Sequence, residues 1–171
     1  MAEQPDDQTV ADAFFEFIGG FRSAVLATVS AEGVPEASYA PVLAQDGRFY
    51  IYVSQLAQHT RNLLAALERD AESPVVSLLF IEPEAEARNL FARQRAAVAG
   101  QVGLIERESP FWCEVLDQMA AQFGETVNLI RQLPDFHLFA IRPVSATLVT
   151  GFAKAWKLEG DGLQKVTYQT R

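Results

Sequence analysis

Residues 39–63 read YAPVLAQDGRFYIYVSQLAQHTRNL, and the fold is decided there. Asp46-Gly47 supplies the positive φ of a tight hairpin turn. It sits between two runs rich in residues that suit a pleated surface. Beyond Ser54 the pattern changes to helical spacing, with Leu63, Leu64 and Leu67 on one side of a short helix over residues 60–68. The stretch is therefore strand, turn, strand, polar crossing, helix. It holds His59, one of two histidines in the chain.

Working outward, Phe21–Ser30 and Val34–Leu43 form two strands around an Ala31-Glu32-Gly33 turn, with Pro35 near a strand start where a missing N–H matters least. With Arg48–Ser54 they predict an antiparallel meander of three strands. Val10, Ala13, Phe14, Phe17 and Ile18 recur at helical spacing, with Thr9 or Asp12 as the cap and Gly19-Gly20 as the stop. Residues 1–8 are expected to be disordered. In the other direction, VVSLLFI after Pro74 is an apolar run of strand length, suited to a central strand. The run from Phe91 to Glu108 predicts a long strand, in which Gly100 and Gly103 mark bends of the kind that close a barrel. Ser109-Pro110 opens a helix carrying Trp112, Val115, Leu116 and Met119. Phe136–Thr150 is another long strand, where Pro143 implies a bulge or an edge, and residues 151–158 and 163–170 close the chain as a hairpin. About seven or eight strands with a few helices give one α+β domain over residues 9–171, barrel-like and antiparallel.

A chain of 171 residues with 49% hydrophobic residues can bury a core without staples. The formal charge of −8 argues against general binding to nucleic acid or to an anionic membrane. The single cysteine, Cys113, excludes an intrachain disulfide and a multi-cysteine zinc site. No signal pattern and no membrane-length apolar run is present, so the expected setting is cytoplasmic. P-loop, GxGxxG, HExxH and GxSxG motifs are absent, and the two histidines have no metal-ligand spacing, so no metal site is expected.

Three clusters carry possible chemistry. In Gln58-His59-Thr60-Arg61-Asn62, polar and cationic groups meet the start of a helix, whose N–H groups can hold a phosphate or carboxylate; the simpler reading is that Thr60 or His59 caps the helix and Arg61 is solvated. Arg93 and Arg95 share a face if their segment is a strand. They then suit a bidentate carboxylate or ion pairs with Glu82, Glu84 or Glu86. Asp135-Phe136-His137 sets a carboxylate beside aromatic rings, fit to orient a ligand or move a proton, or simply to make a turn after Pro134.

Taken in order, ATVSAEGVPEASYAP, YIYVSQLAQHTRNL, LLFIEPEAEARNLFARQR, FWCEVLDQMAAQFGE, LPDFHLF and VTGFAKAW resemble the haem-utilisation proteins of the HutZ/HugZ type. These are a branch of the pyridoxamine-5′-phosphate-oxidase-like, FMN-binding split barrels. The resemblance spans residues 21–158. It implies a homodimer of split β-barrels with flanking helices and a ligand bound in clefts at the dimer interface. It also implies haem paired through a propionate with Arg93 or Arg95, and Asp135 as the catalytic residue, tuning an axial ligand or a water on the iron. An electron donor would be needed for oxidative haem breakdown. In that branch the axial ligand is a histidine of the C-terminal tail; no histidine follows His137 up to Arg171, so Tyr168 or His59 would have to serve. Two alternatives stand beside this. One is an FMN oxidoreductase with the flavin against Tyr39–Val42 and its phosphate at His59, Thr60, Arg61 and Asn62, although the second-strand arginine of flavin-binding relatives is Ser38 here. The other is a non-catalytic carrier of haem or flavin.

Overall fold

One strand, 16 residues long, holds the sheet together. The computed structural model describes residues 5–69 and 75–169, in the order α1 (Asp7–Gly19), β1 (Ser23–Val29), β2 (Pro35–Pro41), β3 (Leu43–Gln45), β4 (Arg48–Ser54), α2 (Gln58–Arg69) and β5 (Val76–Ile81). A short 3-10 turn (Leu90–Ala92) precedes β6 (Arg95–Ile105), α3 (Pro110–Phe123), α4 (Thr126–Ile130), β7 (Phe136–Gly151), β8 (Lys154–Glu159) and β9 (Lys165–Tyr168). Every pairing is antiparallel, and the strand order is β2-β1-β5-β6-β7-β4-β3, with β8 on β7 and β9 on β8. β7 pairs along one edge with β6. Its other edge is divided: residues 136–141 pair with β4 and residues 145–151 with β8.

Chain order explains how this sheet becomes a split barrel. β2 and β3 lie at opposite ends of the strand order yet are joined by Val42 alone. That residue is buried, and its N–H donates to the Arg22 carbonyl at 3.0 Å. The expected three-strand meander is corrected accordingly. The segment 34–43 breaks at Val42 into two strands, giving nine in place of seven or eight among the described residues. Pro35 and Pro41 both fall on β2, an end strand whose outer edge needs no ladder donors.

Alternation then fills the inside. Ala24 and Leu26, Phe49, Ile51 and Val53, Leu78 and Phe80, and Ala96 and Val98 point inward, where Phe14 and Ile18 of α1 and Leu63 of α2 join them. A second core lies on the outer face of β4 and β7, where Tyr50, Tyr52 and Leu138 pack under Trp112, Val115, Leu116 and Met119 of α3. The i, i+3, i+4, i+7 spacing of those four residues is the apolar stripe of that helix. Ser109 caps it, accepting from the Trp112 N–H at 3.1 Å, with Pro110 in its first turn.

Helix α1 starts at Asp7, two residues before the expected Thr9. Asp6 is its cap, accepting from the Thr9 N–H at 2.7 Å, in place of Thr9 or Asp12. The disorder expected for residues 1–8 therefore does not extend to Asp7 and Gln8; residues 1–4, like the Pro74 start of β5, lie outside the described residues. Helix α2 begins at Gln58, so His59 and Thr60 sit within its first turn and do not cap it. The strand expected from Phe91 begins only at Arg95. Gly100 does mark a bulge: the β6–β7 register shifts there, opposite Pro143.

A Cβ on Gly100 would overlap Ile141 Cγ2 and lie 3.3 Å from the Arg142 carbonyl, whereas one on Gly103 meets nothing within 4 Å. Gly100→Ala should cost about 1–3 kcal/mol by overpacking, and Gly103→Ala no more than about 0.5 kcal/mol. Urea midpoints of the two variants check the contrast.

Candidate functional site

The Asp135 carboxylate is held by the end of the neighbouring strand. β4 and β7 are in register through Ser54 and Phe136, so the end of β4 lies beside the residue before β7. Ser54 Oγ donates to Asp135 Oδ2 at 2.5 Å, and the Gln55 N–H donates to the Asp135 carbonyl at 2.7 Å. Ser54 Oγ also accepts from the Leu56 N–H at 3.1 Å, and His137 Nε2 lies 3.2 Å from Gln55 Oε1. Asp135 and the crossing from β4 into α2 are thus one site, which brings together two of the three clusters seen in the sequence.

Two arginines stiffen this site from below. Arg61 donates to the Gln55 and Leu56 carbonyls at 3.1 and 2.7 Å and to Gln58 Oε1 at 2.5 Å, so its guanidinium closes the crossing onto itself. Arg107 donates to the Leu133 and Arg131 carbonyls at 3.0 and 2.7 Å, pinning the loop that carries Asp135. Arg107 and Arg131 both lie against the Trp112 ring, 5.3 and 5.4 Å from its centroid. The Tyr52 hydroxyl is buried nearby, and burial pushes its pKa up against the opposing pull of Arg107. Ser54, Gln55 and Arg107 escaped the sequence reading, since only the β4–β7 register brings the end of β4 beside Asp135, and only the fold brings Arg107 to the loop before it.

Three polar residues of α2 turn inward. His59, Thr60 and Asn62 are buried. His59 Nδ1 lies 3.0 Å from Ser38 Oγ, and Asn62 Nδ2 donates to Thr28 Oγ1 and Glu36 Oε2, each at 3.0 Å. Tyr39 follows Ser38 on β2 and so points to the opposite, outer face, where it is 63% exposed. The sheet therefore separates Tyr39 from His59, Thr60 and Asn62, and Arg61 is occupied by carbonyls. These five do not form one open phosphate cradle in this chain.

Arg93 and Arg95 are not neighbours on a strand face, because Arg93 closes the 3-10 turn before β6 begins. Arg93 donates to the Glu82 carbonyl at 2.5 Å and pairs with Glu84 at 3.2 Å. Arg95 donates to the Arg93 carbonyl at 3.0 Å through one Nη, and among the described residues its other N–H groups have no side-chain hydrogen bond. It opposes Ile81 on β5, and the next outward row runs Ala97, Leu79, Val25, Tyr39. Arg95 and Tyr39 thus share the outer face. Asp135 does not lie near them: Arg95 opens β6, while Ile105 at its other end opposes Leu138. Ten residues at about 3.3 Å each separate the two ends by roughly 30 Å. Of the two substitute iron ligands, His59 is buried and the Tyr168 hydroxyl donates to the Ala153 carbonyl.

Burial lowers the His59 pKa below its usual 6.5, against the opposing pull of Glu36. The fold thus favours the neutral ring, so stability is full above the unfolded value and falls as pH drops through and below it. Between about pH 7.5 and about pH 5.5 the urea midpoint of the wild type should fall further than that of His59→Gln. Equal falls would remove this role.

Comparison with known proteins adds the lineage. The family described as Pyridoxamine 5′-phosphate oxidase matches residues 10–150. Heme oxygenase HutZ of Vibrio cholerae is 38% identical over 148 residues, covering 86% of this chain and 80% of that protein. The crystal structure of Vibrio cholerae HutZ, described there as a heme storage protein, has a TM-score of 0.68 at 38% identity, over 77% of this chain and 88% of its own. Campylobacter jejuni ChuZ has a TM-score of 0.81 at 28% identity over 98% of this chain; the chain spans 64% of ChuZ. With a split barrel closed through Val42 and a family match over most of its length, the chain belongs to the pyridoxamine 5′-phosphate oxidase family.

Proposed function

We propose that this protein binds haem for haem-iron utilisation, at a site assembled between two copies of the chain. The observation that carries the haem reading is the 38% identity to a haem oxygenase over 86% of the chain. The residues present fit such a ligand. Leu90 and Phe91 lie in the turn just before Arg95, and Phe152 follows Val149, the β7 residue opposite Arg95; all three side chains are exposed. An apolar margin beside a guanidinium with free donors suits a flat apolar molecule bearing carboxylates. Of the two candidates, Arg95 is therefore the propionate partner, since Arg93 is already engaged by Glu82 and Glu84.

The dimer follows from separation. Arg95 and Asp135 lie at opposite ends of the β6–β7 pair, so one ligand about 15 Å across cannot reach both within a chain. A twofold arrangement sets the Arg95 end of one copy against the Asp135 end of the other, twice. The outer face that would be covered is low and apolar at Val25, Ala27, Ala37 and Tyr39.

Bound haem supplies iron and dioxygen chemistry. The protein's share is orientation and polarity: Arg95 fixes the carboxylate side. Asp135 keeps one oxygen on Ser54 and offers the other to a water or proton donor. Oxidative breakdown would draw on a separate electron donor, and carriage would not. The flavin alternative rests on the family match, but the enclosure of His59, Thr60 and Asn62 gives it the weaker support.

Haemin titration should give a shifted Soret band that saturates, with affinity reduced at least about tenfold in Arg95→Ala. With reductant and dioxygen the band should bleach, and Asp135→Asn should slow bleaching while retaining binding. A stable band in the wild type assigns carriage, and no shift with haemin rejects the haem reading. Separately, Ala27→Arg on the outer face should convert a dimer to a folded monomer by light scattering and lose haemin binding with it. A haem-binding monomer would reject the shared site.

A further inference from the structure

Where β4 and β8 part along the edge of β7, the fork leaves a hollow of 650 Å³, with Arg48 and Arg142 on one wall and the turn Gly160–Leu163 on another. A smaller recess of 220 Å³ lies between the same two arginines, over Gly103 and Ala140 and beside Gln101. The register explains this meeting of charges. Phe49 opposes Ile141, so the next position outward brings Arg48 opposite Arg142, and Arg142 in turn opposes Gln101. Two like charges directly opposite each other on neighbouring strands repel. The ion pairs among the described residues are Arg93–Glu84, Arg107–Glu108, Arg131–Asp117 and Lys157–Glu159, and neither Arg48 nor Arg142 takes part in one. The one side-chain partner of Arg142 among them is the Gln101 amide.

Local structure holds this arrangement in place. The bulge between Ala99 and Gly100 lies beside Gln101 and opposite Pro143, and bulges re-aim the side chains next to them. Gly103 contributes no side chain to the recess floor, and a Cβ there would meet open space. Asp46 and Asp161 line the larger hollow without pairing with either arginine. As carboxylates they would repel a second anionic group on that side and are able to accept from hydroxyls.

We infer that the strand fork is a binding site for a phosphate group, held between the Arg48 and Arg142 guanidiniums and the Gln101 amide, with the larger hollow taking a small hydroxylated body attached to it. Paired guanidiniums match phosphate oxygens through several charge-assisted bonds and relieve their own repulsion on binding. The site is distinct from the proposed haem site, since Arg48 opens β4 and Ser54, which holds Asp135, ends it.

Thermal midpoints in inorganic phosphate and in ribose 5-phosphate, each against sodium chloride of equal ionic strength, test this. The wild type should gain about 5 °C near saturation over the chloride control. The gain should vanish in Arg48→Gln/Arg142→Gln and in Gly103→Leu, which fills the recess and keeps both charges. Tighter binding of ribose 5-phosphate by about tenfold assigns an ester as ligand, and equal affinity assigns free phosphate. A gain matched by chloride, or retained in both variants, or absent with both probes, overturns the site. Haemin titration of the same variants should be unchanged.

Discussion

The structure depends on one strand having two different neighbours on one edge. β7 is paired with β6 along its length, but its opposite edge passes from β4 to β8 across Arg142, Pro143 and Val144. Proline is tolerated there because the fork asks for no ladder donor. Gly100 is required opposite it because Ile141 fills the space a Cβ would take. From this follow the split in the barrel, the placing of α3 on the β4 half, and the hollow at the fork.

A second consequence is that the two ends of the β6–β7 pair have different characters. One end has Arg95, with the exposed Leu90 and Phe91 in the turn just before it, at the edge of the outer face. The other has Asp135, fastened through Ser54 and Gln55 to the β4–α2 crossing and stiffened by Arg107 and Arg131 stacked on Trp112. A charged-group hydrogen bond and several carbonyl bonds are worth more here than exposed ion pairs, because they are short and partly shielded. The carboxylate is thus pre-positioned before any ligand arrives.

Much of this was legible in the residues. Asp46-Gly47 dictated a hairpin, Ser109-Pro110 opened a helix, Gly100 and Pro143 marked a bulge, and the resemblance carried the family. Local chemistry suffices for such features, since turn φ values, caps and missing donors act within a few residues. Arg93 and Arg95 were less readable. Their shared-face reading needed a strand already running at Arg93, but β6 starts only at Arg95, because Asn89 caps a 3-10 turn before it. The polar run of α2 was misleading for a related reason: its spacing turns His59, Thr60 and Asn62 inward, towards Ser38, Thr28 and Glu36 of a sheet whose position no local pattern reports.

The sequence by itself thus determined most of the elements and the barrel-like class, because periodicity, turn residues and apolar runs are encoded over short distances, and its motifs carried the resemblance to the family. Tertiary structure alone decided that residues 39–63 cross between opposite ends of the sheet at Val42. It also decided that Asp135 rests on Ser54, that Arg95 lies far from it, and that Arg48 faces Arg142. Each of these is a matter of strand register, set by how the alternating faces of distant segments fill one interior. No single segment contains that information.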